Sequence, residues 1–198
     1  MSRPEDEYPN DQRKYPSNQS SPLRGALDDL QPRRAVVACA TDEVRLTPGL
    51  ESQIARLAPS RVTVLLRGGT QALQETVARA LHDRSGRAIG PFALFDCAGL
   101  LSDAIEQQLF GGPAYSKDAK GVIHEAETGT LYVVSIDELP LLMQPRFLRF
   151  LDQDKLVRVV VSARHDLLAH VARGLFRQDL GERLMLIELS LPESGRSV

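Results

Sequence analysis

Apolar positions are sparse at the start of the chain and patterned after it. Up to about residue 33 there is hardly an aliphatic side chain before Leu23, and Pro4, Pro9, Pro16, Pro22 and Pro32 are scattered among polar residues. Such a segment buries too little apolar surface to offset its ordering entropy, so residues 1–33 are expected to be a disordered tail. From about residue 34 to 198 the texture is that of a folded α/β core. The runs RVTVLL (61–66), PFALFDC (91–97), GTLYVVSI (129–136), LVRVVVSA (156–163) and LMLIELSL (184–191) predict five strands. Helical patterns separate them. Thr47 before Pro48 is a helix start, with Leu50, Ile54 and Leu57 on one face. A second helix is predicted over 74–83, with Val77, Ala80 and Leu81 toward the sheet. A third starts at Ser102 and runs to about Leu109. A fourth comes after Pro140 and runs through Leu151, with Leu142, Met143, Phe147, Leu148 and Leu151 as its apolar face. Helical turns are expected between His165 and Leu180. Continuous apolar strands alternating with helices imply βαβ crossovers, a parallel sheet covered on both faces and a three-layer αβα sandwich.

Composition narrows the chemistry. Of 198 residues, 42% are hydrophobic and the formal net charge is -2, while the sequence pI is near 6.1, so the basic face of a DNA-binding module is not expected. Aromatics are 5% and tryptophan is absent, which predicts an aliphatic core. No apolar leader opens the chain and no stretch reaches the roughly 18 apolar residues of a membrane span, so a cytoplasmic location is expected. Cys39 and Cys97 are too few and too distant for a disulfide framework, and Cys97 is expected to be a packed residue. His82, His124, His165 and His170 show no metal-ligand spacing with the cysteines. They are expected at the surface or at helix ends, and no metal is predicted. Ser162, His165 and Asp166 lack a G-x-S-x-G elbow and do not suggest a hydrolase triad.

The most informative stretch is VLLRGGTQALQETVARALH (64–82), which has the form of a phosphate-binding strand, glycine turn and helix. The G-x-x-x-x-G-K pattern would place glycine and lysine where this chain has Leu73 and Gln74. A lysine–phosphate contact contributes roughly 1.5–3 kcal/mol, so its loss weakens binding about 10- to 150-fold. Leu73 adds bulk where the backbone must approach the phosphates.

With APSRVTVLLRGG, ETVARALHDRSGR, GPFALFDCAGL, QLFG, GTLYV, ELPLLMQPRFLRFL, VSARHDL and LFRQDLGERLMLIELSLP in order, the chain resembles the AAA+ domain of bacterial enhancer-binding activators that work with the alternative sigma factor sigma-54. The resemblance spans about residues 40–192 and implies a P-loop NTPase sheet ordered 5-1-4-3-2. It places the family's phosphate loop on Gly68, Gly69, Leu73, Gln74 and Glu75, and its Mg²⁺-binding and catalytic acids on Val134 and Ser135. Asp137 and Glu138 then lie beyond the strand end, in an expected solvated or helix-capping role. The sensor asparagine becomes Arg164, while Arg177 and Arg183 match the arginines that reach a neighbour's nucleotide; here a salt bridge or partner contact is expected of them. The loop that touches the sigma factor is shortened, with Pro113 and Lys117 for its flanking glycines around Tyr115, and the hairpin insertion before the fourth strand is missing. The sequence ends soon after the fifth strand, and the expectation is a core without helical lid, receiver or DNA-binding domain.

These residues lead us to expect a non-catalytic pseudo-ATPase without ATP or Mg²⁺ cofactor. Its role would be that of a regulatory module controlling a protein partner by direct complex formation, such as an enzyme held inactive or a related AAA+ protein, with no direct DNA or membrane binding. The alternatives are a weak or atypical ATP-binding protein of the activator type, and a modulator of sigma-factor-dependent transcription acting through Tyr115.

Overall fold

A computed structural model describes residues 46–112, 120–153 and 156–192. They fold as α1 (Pro48–Leu57), β1 (Val64–Gly68), α2 (Gln71–Asp83), β2 (Phe92–Asp96), α3 (Ser102–Phe110), α4 (Val122–Glu125) and β3 (Thr130–Val134). A 3₁₀ turn (Ile136–Glu138) comes next, then α5 (Gln144–Gln153), β4 (Arg158–Ala163), α6 (Leu167–Ala172), α7 (Gln178–Leu184) and β5 (Glu188–Leu191). The sheet is parallel and ordered β2-β3-β4-β1-β5, the order the resemblance implies. The tail at 1–33 and the loop carrying Pro113, Tyr115 and Lys117 lie outside the described residues.

Successive strand residues point to opposite faces, and the core divides accordingly. Leu65, Val133, Val159 and Val161 join a core with α3, α5, α6 and α7, whereas Val64, Leu66, Tyr132, Val134 and Val160 pack under α1 and α2. Central strands buried on both faces read as continuous apolar runs, which is why β1, β3 and β4 are visible in the sequence. Thr47 caps α1 by accepting from the Leu50 N–H, and Leu50 and Ile54 are buried as predicted.

Three expectations change. The run 184–191 is not one strand: α7 continues through Leu184, and only Glu188–Leu191 pairs, as an edge strand with alternating exposure. Leu142 is 77% exposed because α5 begins at Gln144, two residues beyond it, leaving Phe147 and Leu151 as its buried positions. On α2 it is Ala78, beside Val77 and Leu81, that is buried in the core, while Ala80 is partly buried against it.

The side of the sheet under α1 and α2 carries an unusual fastening. Arg158, at the first position of β4, is 1% exposed. Its guanidinium donates to the carbonyls of Leu57 (2.9 Å), Ala58 (2.8 Å) and Leu81 (2.9 Å), which end α1 and the last turn of α2. Burial, with the nearby Arg87 charge, pushes its pKa down to about 10. The cation persists at neutral pH because carbonyls at helix C-termini present negative partial charge. Nearby, His82 is also buried, its Nδ1 2.9 Å from the Thr130 hydroxyl, which refines the expectation of a surface or helix-end residue: it is at a helix end, facing inward.

Arg158→Met keeps an unbranched apolar stem but removes the guanidinium from the Ala58 and Leu81 carbonyls, while Leu57 keeps Ser60; urea unfolding should register a loss of about 3 kcal/mol, and an unchanged midpoint would show that the clamp is dispensable. Burial lowers the pKa of His82 below its ordinary 6.5. Its stabilising contribution is therefore complete above about pH 6.5 and is lost as pH falls through the lower folded value. Thermal midpoints at about pH 7.5 and about pH 5.5 should differ less in His82→Gln than in the parent chain, and an equal difference would exclude this residue as the source.

Candidate functional site

The carboxyl ends of the parallel strands converge at one edge, where open α/β sheets bind ligands. β1 delivers Gly68 (φ 72°) and Gly69 (φ 67°), both left-handed. A Cβ at Gly68 would stand 2.8 Å from the Leu191 carbonyl oxygen, so the turn needs glycine there whether or not anything binds. Beyond the two glycines the chain enters a helix at once rather than an open loop. Thr70 is the N-cap of α2, its Oγ1 accepts from the Leu73 N–H (3.2 Å), and its carbonyl accepts from the Gln74 N–H (2.9 Å). The Gln74 side chain turns back and donates through Nε2 to the Gly68 carbonyl (2.9 Å). Leu73 is buried in the core under α2, against Gly69, and Glu75 pairs with Arg79 along the helix at 2.8 Å.

Beside this turn lies a cavity of about 210 Å³ lined by Gly68, Gly69, Gln71, Gln74, Val134, Ala163 and Arg164. It is smaller than the roughly 300–1,000 Å³ of ligand pockets. Val134 closes the end of β3 at 2% exposure. Ser135 is buried in the left-handed region (φ 54°), and its Oγ has no hydrogen-bond partner among the described protein atoms. Neither side chain is a carboxylate that could hold Mg²⁺.

Of the two acids just past β3, Asp137 is placed differently from expectation. Asp137 is neither solvated nor a helix cap: its carboxylate is buried and accepts from the backbone N–H groups of Arg164 (3.0 Å) and His165 (3.2 Å). His165 Nδ1 lies 2.7 Å from the same carboxylate. The 3₁₀ turn directs this side chain inward, beneath the loop that leaves β4. Glu138 is partly exposed, accepts from the Gly99 N–H (3.2 Å) and pairs with Arg164 at 3.6 Å. Arg164 is thus brought to the cavity, as its sensor position implied.

Arg177 and Arg183 lie outside this group. Arg177 chelates Asp179, whose carboxyl it holds below the ordinary value, and Arg183 reaches Asp152 at 3.3 Å. Both make the expected salt bridges within their own chain. Cys97 is fully buried in the core, and burial pushes its thiol well up, away from nucleophile chemistry. Gln144, which sequence reasoning overlooked, is fully buried. It donates to the Leu139 and Leu175 carbonyls and accepts from the Arg177 N–H, fixing the approach to α7. Also unanticipated is the meeting of Asp137, His165 and His170, whose candidate ligand atoms lie within 4.8 Å of one another. No spacing rule joins these positions. Among the described residues, no helix is long and apolar enough to cross a membrane.

Comparison with known proteins agrees with this geometry. The family described as the sigma-54 interaction domain matches residues 43–190, and the chain belongs to it. The chain is 35% identical to the regulatory protein AtoC of Escherichia coli K12, over 70% of this chain and 34% of that protein. It is 33% identical to the transcriptional regulatory protein ZraR of the same organism, over 80% of this chain and 40% of ZraR. The chain thus spans about a third to two fifths of these curated relatives. Among solved structures, NtrX of Brucella abortus in complex with ATP superposes with a TM-score of 0.67 at 30% identity, over 86% of this chain and 42% of NtrX.

Asp137 is the keystone of the β4–α6 loop. Asp137→Ala should cost about 2–3 kcal/mol, because two backbone donors lose a charged acceptor in a buried place. Hydrogen exchange should then speed up at the Arg164 and His165 amides before the core strands; unchanged exchange there would contradict the assignment.

Proposed function

We propose that this chain, an AAA+ domain of the enhancer-binding activator type in the sigma-54 interaction family, acts without catalysis as a protein-binding module that regulates a partner by direct contact. One observation carries the reading. The segment Gln71–Gln74, where a phosphate loop would wrap its ligand, is the first turn of α2, with the Leu73 and Gln74 amides committed to Thr70 and the Gln74 side chain to Gly68. These donors are turned to acceptors within the turn rather than toward a ligand.

The identities at Val134 and Ser135 support the same reading, since neither supplies an acid for Mg²⁺ or for polarising water. For contact with a partner, the loops beyond the strand ends offer Leu101 (80% exposed) and Leu142 (77%). A weak ATP-binding alternative draws on Arg164, a cation facing the cavity beside Gly68 and Gly69.

A thermal shift with millimolar ATP and Mg²⁺ separates the two. Saturation at 100 times Kd would stabilise the fold by about 2.7 kcal/mol, or roughly 5 °C or more in a domain of this size. No shift is expected, and one of that size would overturn the non-catalytic reading. Affinity capture from the native cell should recover a stoichiometric protein partner that is lost with Leu101→Asp/Leu142→Asp. Failure to recover any partner would overturn the regulatory role, whatever the nucleotide result.

A further inference from the structure

We infer that Asp137, His165 and His170 form a binding site for a divalent transition metal of the Zn²⁺ class, independent of any nucleotide function. The residues come from separate elements: Asp137 from the 3₁₀ turn after β3, His165 from the loop after β4, and His170 from α6. One ligand atom from each lies within 4.8 Å of the other two. The histidine rings stand nearly parallel, 19° apart, with centroids at 5.4 Å.

The second observation is a matter of unmet polar capacity. His170 Nδ1 is buried yet has no hydrogen-bond partner among the described protein atoms, a cost that a cation ligated through this nitrogen would remove. Asp137 has a fully buried carboxylate whose sole ion pair among the described residues is with His165, not with Lys or Arg. A bound cation would supply the missing positive charge.

The donor set selects the metal. Two imidazoles and one carboxylate suit Zn²⁺, Co²⁺ or Ni²⁺, whereas Mg²⁺ and Ca²⁺ prefer oxygen alone. With three protein ligands a water can take the fourth position. The Arg164 N–H on Asp137 Oδ1 holds the carboxylate in place, in the manner of an outer-shell partner. The His165 side chain is 63% exposed, which leaves an entry path from solvent. A cation bridging His165 and Asp137 would replace the direct contact of 2.7 Å between Nδ1 and the carboxylate. A bound metal would pin α6 to the turn after β3 and fix Arg164 and Glu138 between them.

The test titrates the full chain, free of any histidine tag, with Zn²⁺ by calorimetry and with Co²⁺ by visible absorption. One Zn²⁺ per chain with micromolar or tighter Kd is expected, with Co²⁺ bands of low-coordinate nitrogen and oxygen ligation and no response to Mg²⁺. His170→Ala and His165→Ala should each weaken Zn²⁺ at least about 10-fold, the lower end of what loss of even an outer-shell partner costs. His124→Ala, at an exposed pair with Glu127, should leave binding unchanged. Thermal midpoints without metal confirm that each variant is folded. Absence of binding at about 100 μM Zn²⁺, far above the micromolar range, or binding equally strong in both site variants, would overturn the inference.

Discussion

The buried charge of Arg158 has no carboxylate to answer it among the described residues, and the packing of one face of the sheet depends on how it is answered. Three carbonyls at the ends of α1 and α2 accept from its terminal N–H groups, while its Nε has no partner among the described protein atoms. A buried ion usually costs several kcal/mol unless its surroundings are arranged for it. Here the arrangement comes from two helix C-termini aimed at one point. The guanidinium thereby ties the end of α1 and the last turn of α2 to the first residue of β4.

At the opposite end of the same strands the constraints are local. Gly68 and Gly69 turn the chain past Leu191, Gln74 secures the turn from within, and Asp137 holds the loop beyond β4 by its amides. Leu73, Gln74 and Asp137 are tied into the fold and Arg164 pairs with Glu138, while the Ser135 Oγ has no partner among the described protein atoms. The scaffold is similar to that of NtrX in complex with ATP.

Much of this was legible in the residues. β1, β3 and β4 announced themselves because burial on both faces removes any need for alternation, and Thr47-Pro48 marked α1 through its capping chemistry. Strand order came from the resemblance, since no local signal encodes which strands neighbour each other. The run at 184–191 misled because an amphipathic helix end and an edge strand both supply alternating leucines, and only tertiary packing assigns them. Asp137 escaped for a related reason. Its partners lie 27 and 28 residues away, so a carboxylate that looks terminal in sequence is interior in space. His170 gave no cue, because its significance lies in having a buried nitrogen that nothing satisfies among the described protein atoms.

The proposed function requires that the glycine turn be closed to phosphate by its own residues. Equilibrium binding of labelled ATP with Mg²⁺, comparing the native chain with Leu73→Gly/Gln74→Lys, addresses it most directly. The native chain should show no saturable binding and the double variant a measurable gain, since the lysine restores roughly 1.5–3 kcal/mol and the glycine restores room. Micromolar ATP binding by the native chain would contradict it.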